Sequence, residues 1–139
     1  MKNKRYKQNL FNFLEKIKNV EGDVLEVGTY SGDTTEVLCD FVYQNKLNKK
    51  VFSIDTFEGY IEEDLVGALK EAKSHFSNGD WKYSYEKVQS RLKTFDKICT
   101  IFKGDSKLCI PKLIKEKVLK SVSLLYVDCN LYPPSISAM

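Results

Sequence analysis

Long apolar runs are absent from this sequence. No segment approaches the roughly 20 consecutive apolar residues of a membrane-spanning helix. The N-terminal MKNKRYKQNLFNFLEK alternates charged and apolar residues, whereas a secretory signal has a continuous apolar stretch. With 42% hydrophobic content over 139 residues, the chain can still bury the core of one domain without a disulfide or a metal. We therefore expect an ordinary soluble domain with no membrane partner.

Histidine is almost missing, and the cysteines have the wrong spacing for a metal or redox site. The one histidine, His75, stands beside a polar turn, and we interpret it as incidental. The absence of any CxxC pair argues against a zinc site and against a redox dithiol. Three cysteines lie in or beside apolar runs, where a free thiol behaves as a small buried hydrophobe, so a reducing, cytoplasmic setting is expected. The four cysteines are Cys39, Cys99, Cys109 and Cys129.

An excess of one charge sign is also missing. The 22 basic and 19 acidic residues give a net charge of +3, which is no electrostatic footprint for nucleic acid. The basic cluster near the N-terminus fits the solvated face of a helix predicted from Asn3 to Asn19. We expect that helix to pack on the sheet or on a partner subunit, and the second alternative would make the protein a homo-oligomer. Its apolar residues recur at spacings of three and four: Tyr6, Leu10, Phe13, Leu14 and Ile17.

The stretch DVLEVGTYSGDTTE, from Asp23 to Glu36, is the one around which the chain is organised. Its apolar start predicts a short buried parallel strand. Gly28 and Gly32 then allow a sharp turn and a close approach to a ligand. Asp33 with Glu36 resembles a capping box at the start of a helix. Free N–H groups at a helix start favour an anionic or carboxylate-bearing ligand, although the same pattern also occurs in connections that bind nothing.

One glycine is missing from this turn. The dinucleotide fingerprint needs glycine at position 30, where this chain has Tyr30. This absence counts against a nicotinamide or flavin dinucleotide site. A dehydrogenase is therefore the weakest of the enzyme hypotheses.

The sequence predicts a strand, a helix and a second strand in succession, beginning with the strand of this stretch. The helix runs from Asp33 to about Lys46, and the second strand, Val51 to Ile54, ends at Asp55. Because ligands in such sheets lie outside the carboxyl ends of the strands, Asp55 is expected beside the glycine turn. A carboxylate there can accept both hydrogen bonds of a ribose diol. The alternative is a simple turn or cap aspartate.

The remaining chain repeats this alternation. Helices are predicted over 62–76, from Ser84 onward, and after Pro111, which suits a first helical turn. Strands are predicted over 98–102 and 122–127, and polar residues again follow each strand. Asp105 is placed to hydrogen-bond an adenine amino group. The sequence thus predicts an α/β fold with about four parallel strands and flanking helices.

Several blocks of sequence carry a family resemblance. They are GDVLEVGTYSG at Gly22 to Gly32, IDTFEG at Ile54 to Gly59, NGDWKYSYEKVQSRL at Asn78 to Leu92, FKGDSKLCIP at Phe102 to Pro111 and LLYVDCNLY at Leu124 to Tyr132. Their order and spacing resemble the class I methyltransferases that use S-adenosylmethionine, and specifically the macrocin O-methyltransferase family (TylF/MycF type) of sugar-hydroxyl methylators.

The resemblance implies a Rossmann-like three-layer sandwich and a set of site residues. Residues 1–21 would form an N-terminal helix, and 22–139 an S-adenosylmethionine-binding domain whose C-terminal part is missing. Glu26 and Gly28 would lie at the amino acid end of the cofactor, with Thr29, Tyr30, Ser31 and Gly32 in its loop. Asp55 would bind the ribose, Thr56 and Phe57 would flank the adenosine, and Gly104, Asp105 and Ser106 would border the adenine. Asp128 would be both a cofactor-binding residue and a magnesium ligand.

The chain departs from that family pattern in two places. Asn130 stands where the family usually has a second acid, and the chain stops at Met139 where the family continues to further metal ligands. The predicted function is metal-assisted O-methylation of a sugar or other small-molecule hydroxyl, with S-adenosylmethionine as donor. The alternative is a non-catalytic, truncated methyltransferase-like module for binding or assembly.

Overall fold

The computed structural model describes residues 4–60 and 81–129. Within these ranges the chain alternates helices and strands. In chain order they are α1 (Lys4–Ile17), β1 (Asp23–Val27), α2 (Asp33–Gln44), β2 (Val51–Asp55), α3 (Tyr85–Arg91), β3 (Cys99–Lys103), α4 (Ser106–Lys115) and β4 (Val122–Val127), with a 3-10 turn at Lys93–Phe95 before β3. The predicted helix over 62–76 and His75 lie outside the described residues.

The four described strands form one parallel sheet in the order β3-β2-β1-β4. β1 lies between β2 and β4, and it pairs with β2 through Val24 and Val51 and with β4 through Val27 and Val127. Strands buried on both faces are typical of parallel sheets covered by helices. The sheet and its flanking helices confirm the predicted α/β, Rossmann-like class.

One face of the sheet is covered by α1 and α2. Leu10 and Leu14 of α1 pack with Leu38 and Phe41 of α2 against Val24 at the sheet centre. The N-terminal helix therefore covers the sheet of its own chain, which was one of the two predicted positions. Phe13, predicted on its apolar side, is instead 58% exposed. None of the helices in the described ranges is long and apolar enough to cross a membrane.

The other face is covered by α4. Leu25 and Ile54 of the sheet pack with Ile110 and Leu113 of α4 and with Leu119 after it. A third cluster lies beside the edge of the sheet. It consists of Phe57, Val88 and Leu92. Together these contacts hold the carboxyl ends of the strands in fixed positions.

The helix near Pro111 differs from its prediction. It begins at Ser106 and contains Pro111 in its interior. The Asp105 side chain accepts a hydrogen bond from the Lys107 backbone N–H at 2.9 Å and so caps the helix start. A good cap upstream outweighs the one backbone hydrogen bond that the proline removes.

A buried lysine ties the amino-terminal edge of the sheet together. Lys49 is 6% exposed. Its ammonium group donates hydrogen bonds to the carbonyls of Val20 and Gly22, the latter at 2.8 Å, and to Ser123 Oγ at 3.1 Å. The loop before β1 and the start of β4 are thereby joined on the side opposite the predicted site.

Candidate functional site

The carboxyl ends of β1, β2 and β4 meet at Gly28. Its N–H donates to the Ile54 carbonyl at 2.9 Å, and the Asp128 N–H donates to the Val27 carbonyl at 2.8 Å. Gly28 has φ 100°, and a Cβ there would lie 2.7 Å from the Asp128 carbonyl carbon and still nearer its oxygen. This position therefore requires glycine, because both the backbone conformation and the neighbouring backbone exclude a side chain.

Asp55 joins the two loops at this edge. Its Oδ2 accepts a hydrogen bond from the Tyr30 N–H and its Oδ1 one from the Phe57 N–H, both at 2.8 Å. Tyr30 (φ 48°) and Phe57 (φ 58°) both have left-handed backbones, which are uncommon for bulky residues. Each carboxylate oxygen has two acceptor sites, so both can still receive a ligand hydroxyl. Asp55 thus shapes the edge and keeps the capacity to bind.

Glu26 lies beneath the glycine turn in a network of hydroxyl groups. Its side chain is fully buried, at 0% exposure. Ser53 Oγ donates to its Oε2 at 2.6 Å, and Thr35 Oγ1 donates to the same oxygen. Ser53 Oγ is also 2.6 Å from Thr29 Oγ1. The network ties β1, β2, α2 and the turn together. Contact of Glu26 with a ligand stays a prediction.

The sequence prediction missed Ser53 and Thr35. Ser53 is the one polar residue among the apolar positions of β2 before Asp55, between Phe52 and Ile54. A buried hydroxyl in an otherwise apolar strand needs a partner, and the equally anomalous Glu26 on the neighbouring strand provides it. The two polar residues, each within an otherwise apolar strand, could therefore have indicated a buried hydrogen bond between the strands.

Helix α1 reaches the same region through Tyr6. Its hydroxyl group lies 2.6 Å from the Tyr126 hydroxyl and 2.9 Å from Thr34 Oγ1. Tyr126 is paired with Glu26 in the sheet. Burial, followed by the hydrogen bond with Tyr6, raises the pKa of Tyr126 well above its usual range. The N-terminal helix thus helps to close the space beside the buried carboxylate.

The start of α2 differs from the predicted capping box. Gly32 is the N-cap residue, with φ 82° and no side-chain capping hydrogen bond. Asp33 is the first helical residue, and together with Glu36 it forms ion pairs with Arg91 of α3, both at 2.5 Å. The capping-box prediction is wrong, since the N-cap residue is Gly32 and not Asp33. Both acids instead bind Arg91, which is distant in sequence.

The pKa of Asp33 reflects this contact. Partial burial would raise the pKa of its carboxyl, but hydrogen bonds with Arg91 and Ser31 and the Arg91 charge outweigh burial and lower it. Burial would likewise lower the pKa of Arg91, and its two carboxylate partners raise it instead. Arg91 and Asp33 are therefore both charged at neutral pH.

Three aromatic rings pack together at the glycine turn. The Tyr30 ring contacts Trp81 and Tyr83 edge-on, with centroid distances of 5.3 and 5.1 Å. The Phe57 ring, in contrast, is 2% exposed and lies against Tyr85. Phe57 therefore reaches the site through its backbone N–H. The predicted role of its ring beside the adenosine stays a prediction.

The residues after β2 and β3 lie beside each other. The Gly104 N–H donates to the Asp55 carbonyl at 2.9 Å. Thr56 Oγ1 accepts from the Glu58 N–H at 3.3 Å and donates to the Gly59 carbonyl at 3.2 Å. Ser106 is 5% exposed. The predicted adenine contact of Asp105, which caps α4, stays untested.

The predicted site residues thus converge, but a metal site does not form from the described residues. Twelve of the thirteen candidates follow or end a strand at one edge of the sheet, and Glu26 lies within β1, one residue before its end. In 4–60 and 81–129, no group of three or more histidine, cysteine, aspartate or glutamate residues can hold a metal ion. Asp128 lies at the edge, and Asn130 lies outside the described part. The donor set that the structure shows does not fit magnesium.

Solved structures similar to this chain are methyltransferases. The crystal structure of CalS11, a calicheamicin methyltransferase, superposes with a TM-score of 0.82 at 15% identity, covering 96% of this chain and 57% of that chain. The structure of the O-methyltransferase NovP gives a TM-score of 0.74 at 19% identity, with coverage of 96% and 57%. An apo structure of CalS11, described as a TDP-rhamnose 3'-O-methyltransferase, gives 0.65 at 16% identity, covering 96% and 55%.

These similarities establish the fold, and the chain spans a little over half the length of the solved structures that it matches. No curated protein sequence matches it significantly. A family model described as "Methyltransferase domain" matches residues 25–138, which is most of the chain. The chain belongs to this methyltransferase-domain family.

Proposed function

We propose that the protein is an S-adenosylmethionine-dependent methyltransferase whose cofactor binds across the carboxyl ends of β1 and β2. The observation that carries this proposal is the position of Asp55. Its carboxylate holds Tyr30 and Phe57 through their N–H groups at 2.8 Å and retains acceptor capacity for a ribose diol. Membership of the methyltransferase-domain family supports the choice of donor.

The residues around Asp55 fit the other parts of this cofactor. The N-cap residue of α2 is Gly32, which has no side chain to occupy the helix start. The helix dipole favours a carboxylate at this end. Tyr30 in place of the middle glycine fits a ligand that has no pyrophosphate. These features match an amino acid joined to an adenosine.

Positioning is the main contribution of this chain to the proposed reaction. When bound, S-adenosylmethionine supplies an electrophilic methyl group for in-line displacement by an acceptor oxygen. Asp55 and the glycine turn orient the donor, and correct orientation alone accounts for a large share of the rate in such displacements. Because the described donor set does not fit magnesium, we derive no step through a metal.

We propose that the acceptor is a hydroxyl group of a sugar or of another small molecule. The resemblance of the sequence blocks to sugar-hydroxyl methylators supports this class. The structural similarity to CalS11 and NovP, which are O-methyltransferases, supports it as well. None of the four cysteines, which all lie in the described ranges, forms a disulfide, and this fits the reducing, cytoplasmic compartment that we propose as the setting.

Calorimetric titration of the intact protein tests the cofactor. We expect S-adenosylmethionine and S-adenosylhomocysteine to bind, and NAD not to bind. Asp55→Asn should weaken binding about tenfold or more, because hydrogen bonds to a charged acceptor are lost. Asp96→Asn, an exposed aspartate before β3, is the matched control and should bind as the wild type does. Binding of NAD alone, or of none of the three, would contradict the proposal.

A further inference from the structure

Arg91, the last residue of α3, contacts the glycine turn and the first turn of α2 at the same time. Its Nη1 donates to Asp33 Oδ1 at 2.5 Å and to the Ser31 carbonyl at 3.2 Å. Its Nε and Nη2 donate to Glu36 Oε2 at 3.2 and 2.5 Å. One guanidinium group thus fixes a loop carbonyl and two carboxylates. The planar fork of arginine suits such multiple contacts, and lysine cannot reproduce them.

The helix that carries Arg91 packs directly on the turn. A Cβ at Gly32 would lie 3.1 Å from Val88 Cγ1 and 3.6 Å from Leu92 Cδ1. Val88 and Leu92 are buried and cluster with Phe57, whose N–H binds Asp55. The position of Arg91 is therefore set by the same cluster that supports the loop after β2.

Two negative charges lie at the helix end where a ligand carboxylate is proposed to bind, and Arg91 reduces their effect. Asp33 and Glu36 place two negative charges in the first turn of α2, where they stabilise the helix dipole. The same two charges repel a ligand carboxylate at that helix end. The single positive charge of Arg91 lies at hydrogen-bond distance from both carboxylates and reduces this repulsion. All three side chains are partly exposed, at 36% for Arg91, 44% for Asp33 and 43% for Glu36, so the effect is moderated by solvent.

We propose that Arg91 is a positioning residue for the amino acid end of the cofactor, an inference that rests on the proposed function. It holds the Ser31 carbonyl in place. It also offsets the Asp33 and Glu36 charges, so that the start of α2 accepts a carboxylate. Arg91 acts through these residues and does not itself touch the ligand.

A series of charge variants of the intact protein tests this role by calorimetry with S-adenosylhomocysteine. Arg91→Gln should weaken binding about tenfold and Arg91→Lys about threefold, because lysine restores the charge but not the fork. Adding Asp33→Asn and Glu36→Gln to Arg91→Gln should restore most of the affinity. Lys87→Gln, one turn earlier on α3 and exposed, is the matched control and should change nothing. Thermal unfolding of each variant verifies that it is folded.

A second ligand separates a charge effect from a general loss of structure. 5'-Methylthioadenosine has the adenosine and lacks the amino acid carboxylate. Arg91→Gln should therefore weaken its binding by less than about twofold if the ligand charge matters. Where the wild type binds this smaller ligand too weakly to measure, the charge series alone decides.

Three results would overturn the inference. Unchanged binding of S-adenosylhomocysteine by Arg91→Gln would show that Arg91 has no role. A triple variant as weak as Arg91→Gln, or equal losses for both ligands, would show a structural role alone. In both cases wild-type binding would leave the proposed function standing. Failure of the wild type to bind S-adenosylhomocysteine would instead remove the proposed function and this inference together.

Discussion

At the scale of single residues, Gly28 and Asp55 define the edge of the sheet. Gly28 brings the end of β1 against the backbone of Asp128. Asp55 binds the two loops that follow β1 and β2 through their N–H groups. Both residues were predicted as site residues. Their structural contacts show why glycine and a carboxylate are needed there even before a ligand binds.

Alanine at Gly28 should be more costly than alanine at Gly32. Both glycines have positive φ, at 100° and 82°. The added Cβ meets rigid backbone at Gly28 but a valine side chain, at 3.1 Å, at Gly32. We expect Gly28→Ala to lower the free energy of unfolding by about 2–4 kcal/mol and Gly32→Ala by about 1 kcal/mol. Urea unfolding measures both, and equal losses would contradict the account.

The buried network can be tested at Thr35. Thr35→Val keeps the shape of the side chain but removes a hydrogen bond to the buried Glu26 carboxylate. The expected loss is about 1–3 kcal/mol of unfolding free energy. Thr100→Val, on the exposed face of β3, should change stability by less than about 0.5 kcal/mol. A Thr35→Val variant as stable as this control would show that the network contributes nothing.

At the scale of elements, apolar runs predicted all four described strands. β4 was predicted over 122–127 and is found there. The prediction was possible because a parallel strand that is buried on both faces has a nearly continuous run of apolar residues. Helix starts were harder. The cap at Asp105 and the pairing of Asp33 with Arg91 are side-chain events, and the second joins residues far apart in the chain. Local patterns do not encode such partners.

The contact between α2 and α3 predicts an acid dependence of stability. The pKa of Asp33 is lowered in the folded state, so its contribution is present above the unfolded pKa of about 4 and is lost as pH falls through the lower folded value. Melting temperatures of the wild type and Asp33→Asn should therefore differ at pH 7 and converge toward pH 3. A difference that persists or grows in acid would contradict this sign.

At the scale of the whole molecule, the two edges of the sheet have separate roles. The carboxyl edge carries the candidate site residues. The rule on ligand position predicted Asp55 beside the glycine turn, and the family resemblance implied most of the others. The amino edge carries Lys49, whose burial and three acceptors were not predicted, since lysine is usually exposed. Its partners come from segments that are adjacent only in the folded chain.

This separation predicts that Lys49 affects stability but not binding. Lys49→Met removes the hydrogen bonds to Val20, Gly22 and Ser123 and should lower the free energy of unfolding by about 2–3 kcal/mol. Affinity for S-adenosylhomocysteine, measured by calorimetry on the folded variant, should stay unchanged. The neighbouring exposed residue supplies the control, Lys50→Met. A large loss of affinity in Lys49→Met would show that the two edges are coupled.

Hydrogen exchange of the intact protein with and without S-adenosylhomocysteine tests the central claim most directly, because it reports where a ligand protects the backbone. We expect slower exchange at saturation in residues 28–36, 55–57 and 104–106. We expect no change around residues 20–23, 49–50 and 121–123 at the opposite edge. Protection confined to that opposite edge, or no protection anywhere at saturating ligand, would contradict the claim that the cofactor binds at the glycine turn.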